Sequence, residues 1–384
     1  MRQWPTGLDG QNFRGVEQTR STAAQGFEYF HRLPLSTGAP SGLQCRRRSR
    51  CDLRVRNPEN IPAQLRALAA CQEDLVSITQ CAEAGISKHA VLRLVRSGAW
   101  ARITRGVYDT NPVPVRVRVY ADYHDHVRRR AAWIGLLAYP DGAATGGCAL
   151  ALLGVGGLPS ELAPEVSRPT WMDAGVRPGT VLRRYGTFPV VQRHGRDVAE
   201  LVHALAQGLL TLPRDHAVAA ICDALREDRI CLADLGRIRT LIRGRRGVVV
   251  ARSWLELVPG RDASPSETFT RLSLIDHGVP PDGQQIVFRL GGRFLGRVDF
   301  AWVLPDGRYV VLEIDGREFH SGNEMLADDA TRQNGLVGTD RVILLRFPAP
   351  RDSADGDIGG QAAERLHQLG WVPGGSIGPV VHLD

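Results

Sequence analysis

The sequence predicts a multidomain α/β (α+β) protein. It should hold an N-terminal winged helix-turn-helix, a helical middle domain and a C-terminal mixed sheet flanked by helices. Three observations carry this. Two short helices separated by Gly85 and followed by a basic hairpin occupy residues 74–110. Apolar residues then recur at helical spacing through much of 116–255. From Ser264 onward come a helix, three strands joined by tight turns, a second helix and a fourth strand.

Residues 1–70 are rich in Gly, Pro, Ser, Gln and Arg without a sustained period, and they read as a disordered Arg-rich tail. In the next segment, 74–115, Ser77 caps a helix from Ile78 to Ala84 and Gly85 makes the turn. Ser87 caps a second helix, Lys88 to Ser97, with Val91, Leu94 and Val95 on its inner face. Gly98 ends it, and Trp100 to Tyr108 reads as a β-hairpin. This is the winged helix-turn-helix order. In it the second helix enters the major groove with Lys88, His89, Arg93 and Arg96, while Arg102 and Arg105 grip phosphate. The same unit also serves as a protein-docking domain.

The middle region, 116–255, reads as helices at Ala131–Tyr139, Thr145–Leu153, Asp197–Gln207 and Ala217–Arg226, with strands at Val181–Arg184 and Val190–Arg193. Gly154-Val155-Gly156-Gly157 follows a helix, so it reads as a helix end and not as a phosphate-binding loop. Arg237, Arg239, Arg243, Arg245 and Arg246 form a basic stretch that suits either a DNA backbone or a solvated helix face. In 260–350, a helix capped by Ser264 or Ser266 runs to His277, with Glu267 in its first turn. Strands follow at Gln284–Leu290, Arg293–Val303 and Arg308–Ile314, then a helix from Glu324 to Val337 and a closing strand, Arg341–Phe347. Residues 351–384 read as a C-terminal helix and tail.

Charge is unevenly spread. The chain carries +7, yet residues 1–70 alone hold eleven Arg against five acids, so nucleic-acid binding must be argued from local patches. Lys88 is the sole lysine. The seven scattered cysteines form no CxxC pair, so neither a zinc knuckle nor a disulfide framework is indicated. No run of eighteen apolar residues and no signal pattern occurs, so the expectation is a cytoplasmic protein, nucleoid-associated when bound to DNA.

The densest chemistry is Val311-Leu312-Glu313-Ile314-Asp315-Gly316, with Asp299 one hairpin upstream. In a strand Glu313 and Asp315 point to one face. Acids inside apolar runs repel one another unless a cation sits between them. Asp299, Glu313 and Asp315 together read as a hard-oxygen site for Mg²⁺ or Mn²⁺.

Residues 260–350 resemble the PD-(D/E)xK nuclease superfamily, and more narrowly its branch near the very-short-patch-repair endonucleases. The residues carrying this are Ser264-Pro265-Ser266-Glu267, Arg297-Val298-Asp299-Phe300, Glu313-Ile314-Asp315-Gly316 with His320, Asp329-Ala330-Thr331-Arg332 with Leu336, and Arg346. The resemblance implies a restriction-endonuclease-like fold in which Asp299 and Glu313 hold the metal and Glu267 supports it. The superfamily places lysine where this chain has Asp315. An acid there serves as a third ligand or water-orienting base, with His320 or Arg332 supplying the missing help. Residues 74–225 resemble the AbiEi-type antitoxin and transcriptional-regulator domain, on Gly85-Ile86-Ser87 and Arg105-Gly106-Val107-Tyr108. The order of the two parts is similar to that of bacterial, actinobacterial-looking proteins. Two functions follow from the resemblances: a DNA-binding, metal-dependent endonuclease, or a non-catalytic regulator that binds its own promoter, pairs with a cognate toxin and keeps an inactive nuclease fold.

Overall fold

The computed structural model describes residues 61–111, 113–118, 122–168, 175–259, 264–315, 338–352 and 355–383. They form a multidomain α+β protein with three sheets, each backed by helices.

The first unit is α1 (Ala63–Cys71), β1 (Leu75–Ser77), α2 (Ile78–Glu83), α3 (Lys88–Arg96), β2 (Ala101–Thr104) and β3 (Val107–Asp109). Its strands pair in the order β1-β3-β2, all antiparallel. Helix α1 corrects the expectation of a disordered segment to residue 70: Leu65 and Ala69 bury against Val76, Cys81, Val91, Trp100 and Tyr108. The polar composition of the tail hid this one apolar stripe. Between α1 and β1, Glu73 and Asp74 both take positive φ, 56° and 64°. Non-glycine residues pay roughly 1–2 kcal/mol each for that backbone, and their carboxylates are used, as described below.

The middle unit holds α4 (Tyr123–Ala138), β4 (Ala143–Ala144), α5 (Gly146–Leu152), β5 (Glu165–Ser167), β6 (Val181–Arg183), β7 (Val190–Arg193), β8 (Arg196–Ala199), α6 (Leu201–Thr211), α7 (Arg214–Arg226), α8 (Leu232–Leu241) and α9 (Val248–Leu255). Its five-stranded sheet runs β6-β5-β4-β8-β7, with β5–β6 and β4–β8 parallel. The expected helix at Asp197 is corrected: β8 takes Arg196–Ala199, pairs with β7, and α6 begins only at Leu201. A four-residue strand carries too little periodicity to be marked by its sequence. Trp133, Leu136, Leu150 and Leu205 form the centre of its core.

The third unit comprises α10 (Pro265–Asp276), β9 (Gly283–Leu290), β10 (Arg293–Val303), β11 (Tyr309–Asp315), β12 (Val342–Pro348), α11 (Ile358–Gln368) and β13 (Val380–His382). The sheet order is β12-β11-β10-β9-β13, antiparallel in its meander and parallel at both edges. Strand β13 lies in what the sequence reads as tail. Asp282 secures that end, its Oδ2 accepting from Val303 N and Trp371 Nε1, each at 3.0 Å. Helices α10 and α11 cover one face through Leu274, Ile358, Ala362 and Leu366 against Phe300, Trp302 and Leu312. The helix expected at Glu324–Val337 lies outside the described residues.

Burial also sets thiol chemistry. It pushes Cys81 up to about 11 and Cys148 up to about 12, so both stay protonated at neutral pH. Brief labelling of native protein with a maleimide, mapped by peptide mass spectrometry, should modify the exposed Cys71 and Cys231 and spare Cys81, Cys148 and Cys222 until unfolding.

Candidate nucleic-acid interface and carboxylate site

Local capping fixes the helix-turn-helix. Ser77 and Gln80 form a reciprocal capping box: Gln80 N donates to Ser77 Oγ at 3.1 Å and Ser77 N to Gln80 Oε1 at 2.9 Å. Gly85 turns the chain at φ +80°, and Ser87 Oγ caps α3 by accepting from Ala90 N at 3.2 Å. Val91 anchors α3 inward, fully buried. At 100° per residue, Lys88, His89, Arg93 and Arg96 then share an arc of about 140° on the outer side. All four are exposed, and none has a carboxylate partner among the described residues.

The wing is the β2–β3 hairpin, turned by Arg105 and Gly106 with Gly106 at φ +81°. Arg102 and Arg105 are exposed on it. The hairpin is tied down from two sides. Ile78 N donates to Gly106 O at 2.8 Å, while Arg177 Nη1 donates to Arg105 O at 2.7 Å and Thr104 Oγ1 to Pro178 O at 2.9 Å. Arg177 is held in turn by Tyr139, whose hydroxyl accepts from Arg177 N at 2.7 Å and whose ring lies 5.3 Å beneath its guanidinium.

A buried ionic cluster joins this unit to α4, and sequence reasoning missed it. Asp109 Oδ2, on β3, accepts from Arg118 Nη2 at 2.5 Å and Arg130 Nη2 at 2.6 Å. Arg130 Nη1 also donates to Glu73 O at 2.7 Å, and Arg118 Nε to Val113 O at 2.8 Å. The Glu73 carboxylate takes Arg129 Nε at 2.5 Å and meets His126 Nδ1. The left-handed turn at Glu73 and Asp74 thus aims Glu73 at His126 and Arg129 of α4 and Asp74 at Arg118 and Asn111. Burial holds the Arg130 guanidinium below its ordinary value, with Asp109 acting against that shift. The signal was the run Arg128-Arg129-Arg130, which reads from sequence alone as a solvated face.

In the third unit Ser264 caps α10, accepting from Glu267 N at 3.2 Å and donating from Oγ to Glu267 Oε1 at 3.1 Å. Glu267 is buried in the first turn, where the helix dipole favours a carboxylate. Gln285 Nε2 donates both to Glu267 Oε2 at 2.8 Å and to Asp299 Oδ1 at 3.1 Å. Asp299 Oδ2 accepts from Ile314 N at 2.8 Å. Phe300↔Leu312 is the last β10–β11 pair, so the Asp299 carboxylate takes over where the backbone ladder stops.

A break in strand alternation explains this. Val298 and Phe300 should share a face. Instead Val298 packs with Ile286 and Val311, while Phe300 packs with Trp302 and Leu312 on the opposite side. The register changes face at Asp299, and across from it Gln285 adopts φ +53°. Two matched kinks swing the Asp299 carboxylate sideways toward β11. No feature of Gln285 in the sequence marks it for this role.

Glu313 is buried on β11, in register with Arg346 of β12. Asp315 departs from expectation. It is exposed, and its Oδ1 accepts from Arg346 Nε at 3.0 Å and from Nη2 of the same guanidinium. Among the described residues no three His, Cys, Asp or Glu side chains converge as a metal site would need. Of the expected acids, Glu267 and Asp299 are bridged by Gln285, Glu313 lies on the next strand in register with Arg346, and Asp315 pairs with Arg346. His320 and Arg332 lie outside the described residues. Both carboxylates supply hard oxygen donors, and in this arrangement the Gln285 –NH2 group sits between them.

A capped three-helix unit with a basic outer helix and a tethered hairpin defines a winged helix-turn-helix protein. The family described as "Transcriptional regulator, AbiEi antitoxin" matches residues 63–108, which run from α1 to β3. Two uncharacterised proteins of Mycobacterium tuberculosis, from strains CDC 1551 / Oshkosh and ATCC 25618 / H37Rv, are each 39% identical over 122 residues. That alignment covers 32% of this chain and 44% of theirs, so the chain spans less than half the length of the curated relatives it matches. Among the described residues no helix is long and apolar enough to cross a membrane.

Proposed function

We propose that this protein is a DNA-binding transcriptional regulator of antitoxin type that acts at its own promoter. The observation that carries the reading is the outer face of α3: four exposed cationic side chains, without acid partners among the described residues, on a helix capped and anchored for presentation. The family match over the same segment supports it. Lys88, His89, Arg93 and Arg96 face the major groove, and Arg102 and Arg105 neutralise flanking phosphates. A cognate toxin encoded with it is the protein partner this reading implies, and the cytoplasm is the compartment.

The two groups of cations should fail differently. Arg93→Ala removes a base-reading side chain and is expected to reduce discrimination between promoter and random duplex by about 1–3 kcal/mol. Arg102→Ala removes a phosphate contact and should weaken both duplexes alike, lowering the slope of log K against log salt by about 0.9. Fluorescence anisotropy over a salt series measures both. Failure of the wild-type chain to bind promoter DNA at low salt sinks the reading.

A second reading rests on the bridged carboxylates. Glu267 and Asp299, with Glu313 on the adjoining strand, favour a divalent-metal hydrolase acting on DNA phosphodiesters. Bound there, Mg²⁺ or Mn²⁺ would polarise the scissile phosphate. The chain's own residues would orient the site. Ser264 fixes Glu267, the kink fixes Asp299, and Arg346 is held beside them by Asp315. A cleavage assay on plain, nicked and mismatched duplex, with metal titrated, decides this reading.

A further inference from the structure

A cleft of about 110 Å³ opens in the middle unit between the segment after β6, helix α6 and the end of α8. Tyr185, Phe188, His203, Gln207, Leu241 and Arg245 line it. Its walls combine an aromatic pair with several hydrogen-bonding groups that have no partner among the described residues.

Gln207 is the clearest case. It is 6% exposed, and its Oε1 is committed to Gly146 N at 3.0 Å. That bond fixes the orientation of the amide and leaves its –NH2 group to serve the cleft. Arg245 has no carboxylate partner among the described residues. Its guanidinium lies 5.7 Å from the Tyr185 ring centroid, stacked and held open toward solvent. Burial pushes the Tyr185 phenol up to about 12, so its hydroxyl stays a donor at neutral pH. His203 engages Glu200 Oε2 through Nδ1 at 3.1 Å, which leaves Nε2 for a second contact.

The aromatic wall is ordered as well. Tyr185 and Phe188 meet edge to face, with centroids 6.3 Å apart at 86°. Apolar Leu241 completes one side. Such a slot takes a flat ring. The donors Gln207, Tyr185 and Arg245 take a negative, planar acceptor, for which a guanidinium is the matching fork. The volume admits one ring with one acid group and excludes a nucleotide.

We propose that this cleft is a binding site for a small planar aromatic carboxylate. Isothermal titration calorimetry on the full chain tests it, with benzoate as the probe and benzylamine, cyclohexanecarboxylate and inorganic phosphate as comparators. Benzoate is expected to bind with one site per chain, and each comparator about tenfold more weakly, since each lacks the charge, the ring or both. Arg245→Gln, an exposed change that leaves the core intact, should raise the benzoate dissociation constant about tenfold. Gln207→Leu should do the same, with circular dichroism confirming the fold. No saturable benzoate binding, equal binding of benzylamine, or an unchanged constant in Arg245→Gln would each overturn the proposal. The outcome is independent of promoter binding.

Discussion

Replacing Asp109 with alanine is expected to cost about 3–5 kcal/mol of stability, since it leaves the buried Arg130 without a carboxylate partner and Arg118 with Asp74 alone. Arg118 and Arg130 are 7% and 5% exposed, and both direct a nitrogen at Asp109 Oδ2. Neither has a second full charge at equal range: Arg118 reaches Asp74 only at 3.4 Å, and Arg130 otherwise has a peptide oxygen. Urea denaturation followed by tryptophan fluorescence measures the loss as a lower midpoint. The triple change Asp109→Leu, Arg118→Met, Arg130→Met should recover most of it, because removing a whole buried ion cluster is far less costly than breaking one. A loss below about 1 kcal/mol for the single change would mean that water reaches the cluster.

The second large effect belongs to the carboxylate site. On the hydrolase reading, Asp299→Asn is expected to reduce metal-dependent cleavage by about a hundredfold or more, and Glu313→Gln similarly, since each removes a charge that the metal requires. Asparagine can still accept from Ile314 N–H, so the kinked strand keeps its anchor. Promoter binding through α3 should be unchanged in both variants, which separates the two readings in one pair of proteins. If wild-type chain cleaves no duplex with either Mg²⁺ or Mn²⁺, or if both variants cleave normally, the hydrolase reading falls and the regulator reading stands alone.

The contrast between what was legible in the sequence and what was not has a physical basis. The meander β9–β11 could be read because Gly291-Gly292 and Pro305-Asp306-Gly307 allow few backbone solutions. The order of α2, α3 and the wing could be read because Ser77, Ser87, Gly85 and Gly106 act locally. Long-range interactions could not. Strand β13 exists because it pairs with β9 more than ninety residues away, and nothing within Val380-Val381-His382 announces that. Gln285 becomes a bridge only because two chain segments kink at the same level. Asp315 was placed on the correct strand, yet Arg346, a partner on a parallel neighbour, decides where its charge is spent.

The position of Asp109 has a bearing on modularity. The family match ends at residue 108, one position before the acid that receives both buried arginines from beyond β3. The wing, too, is stapled by Arg177 and Pro178 from the middle unit. A cut at residue 108, where the family match ends, would sever both attachments. The matched segment, residues 63–108, is therefore held by contacts that lie outside it. A fragment that keeps the reading head intact has to extend through β6, and swapping the head onto another body would mean transplanting its arginine socket with it.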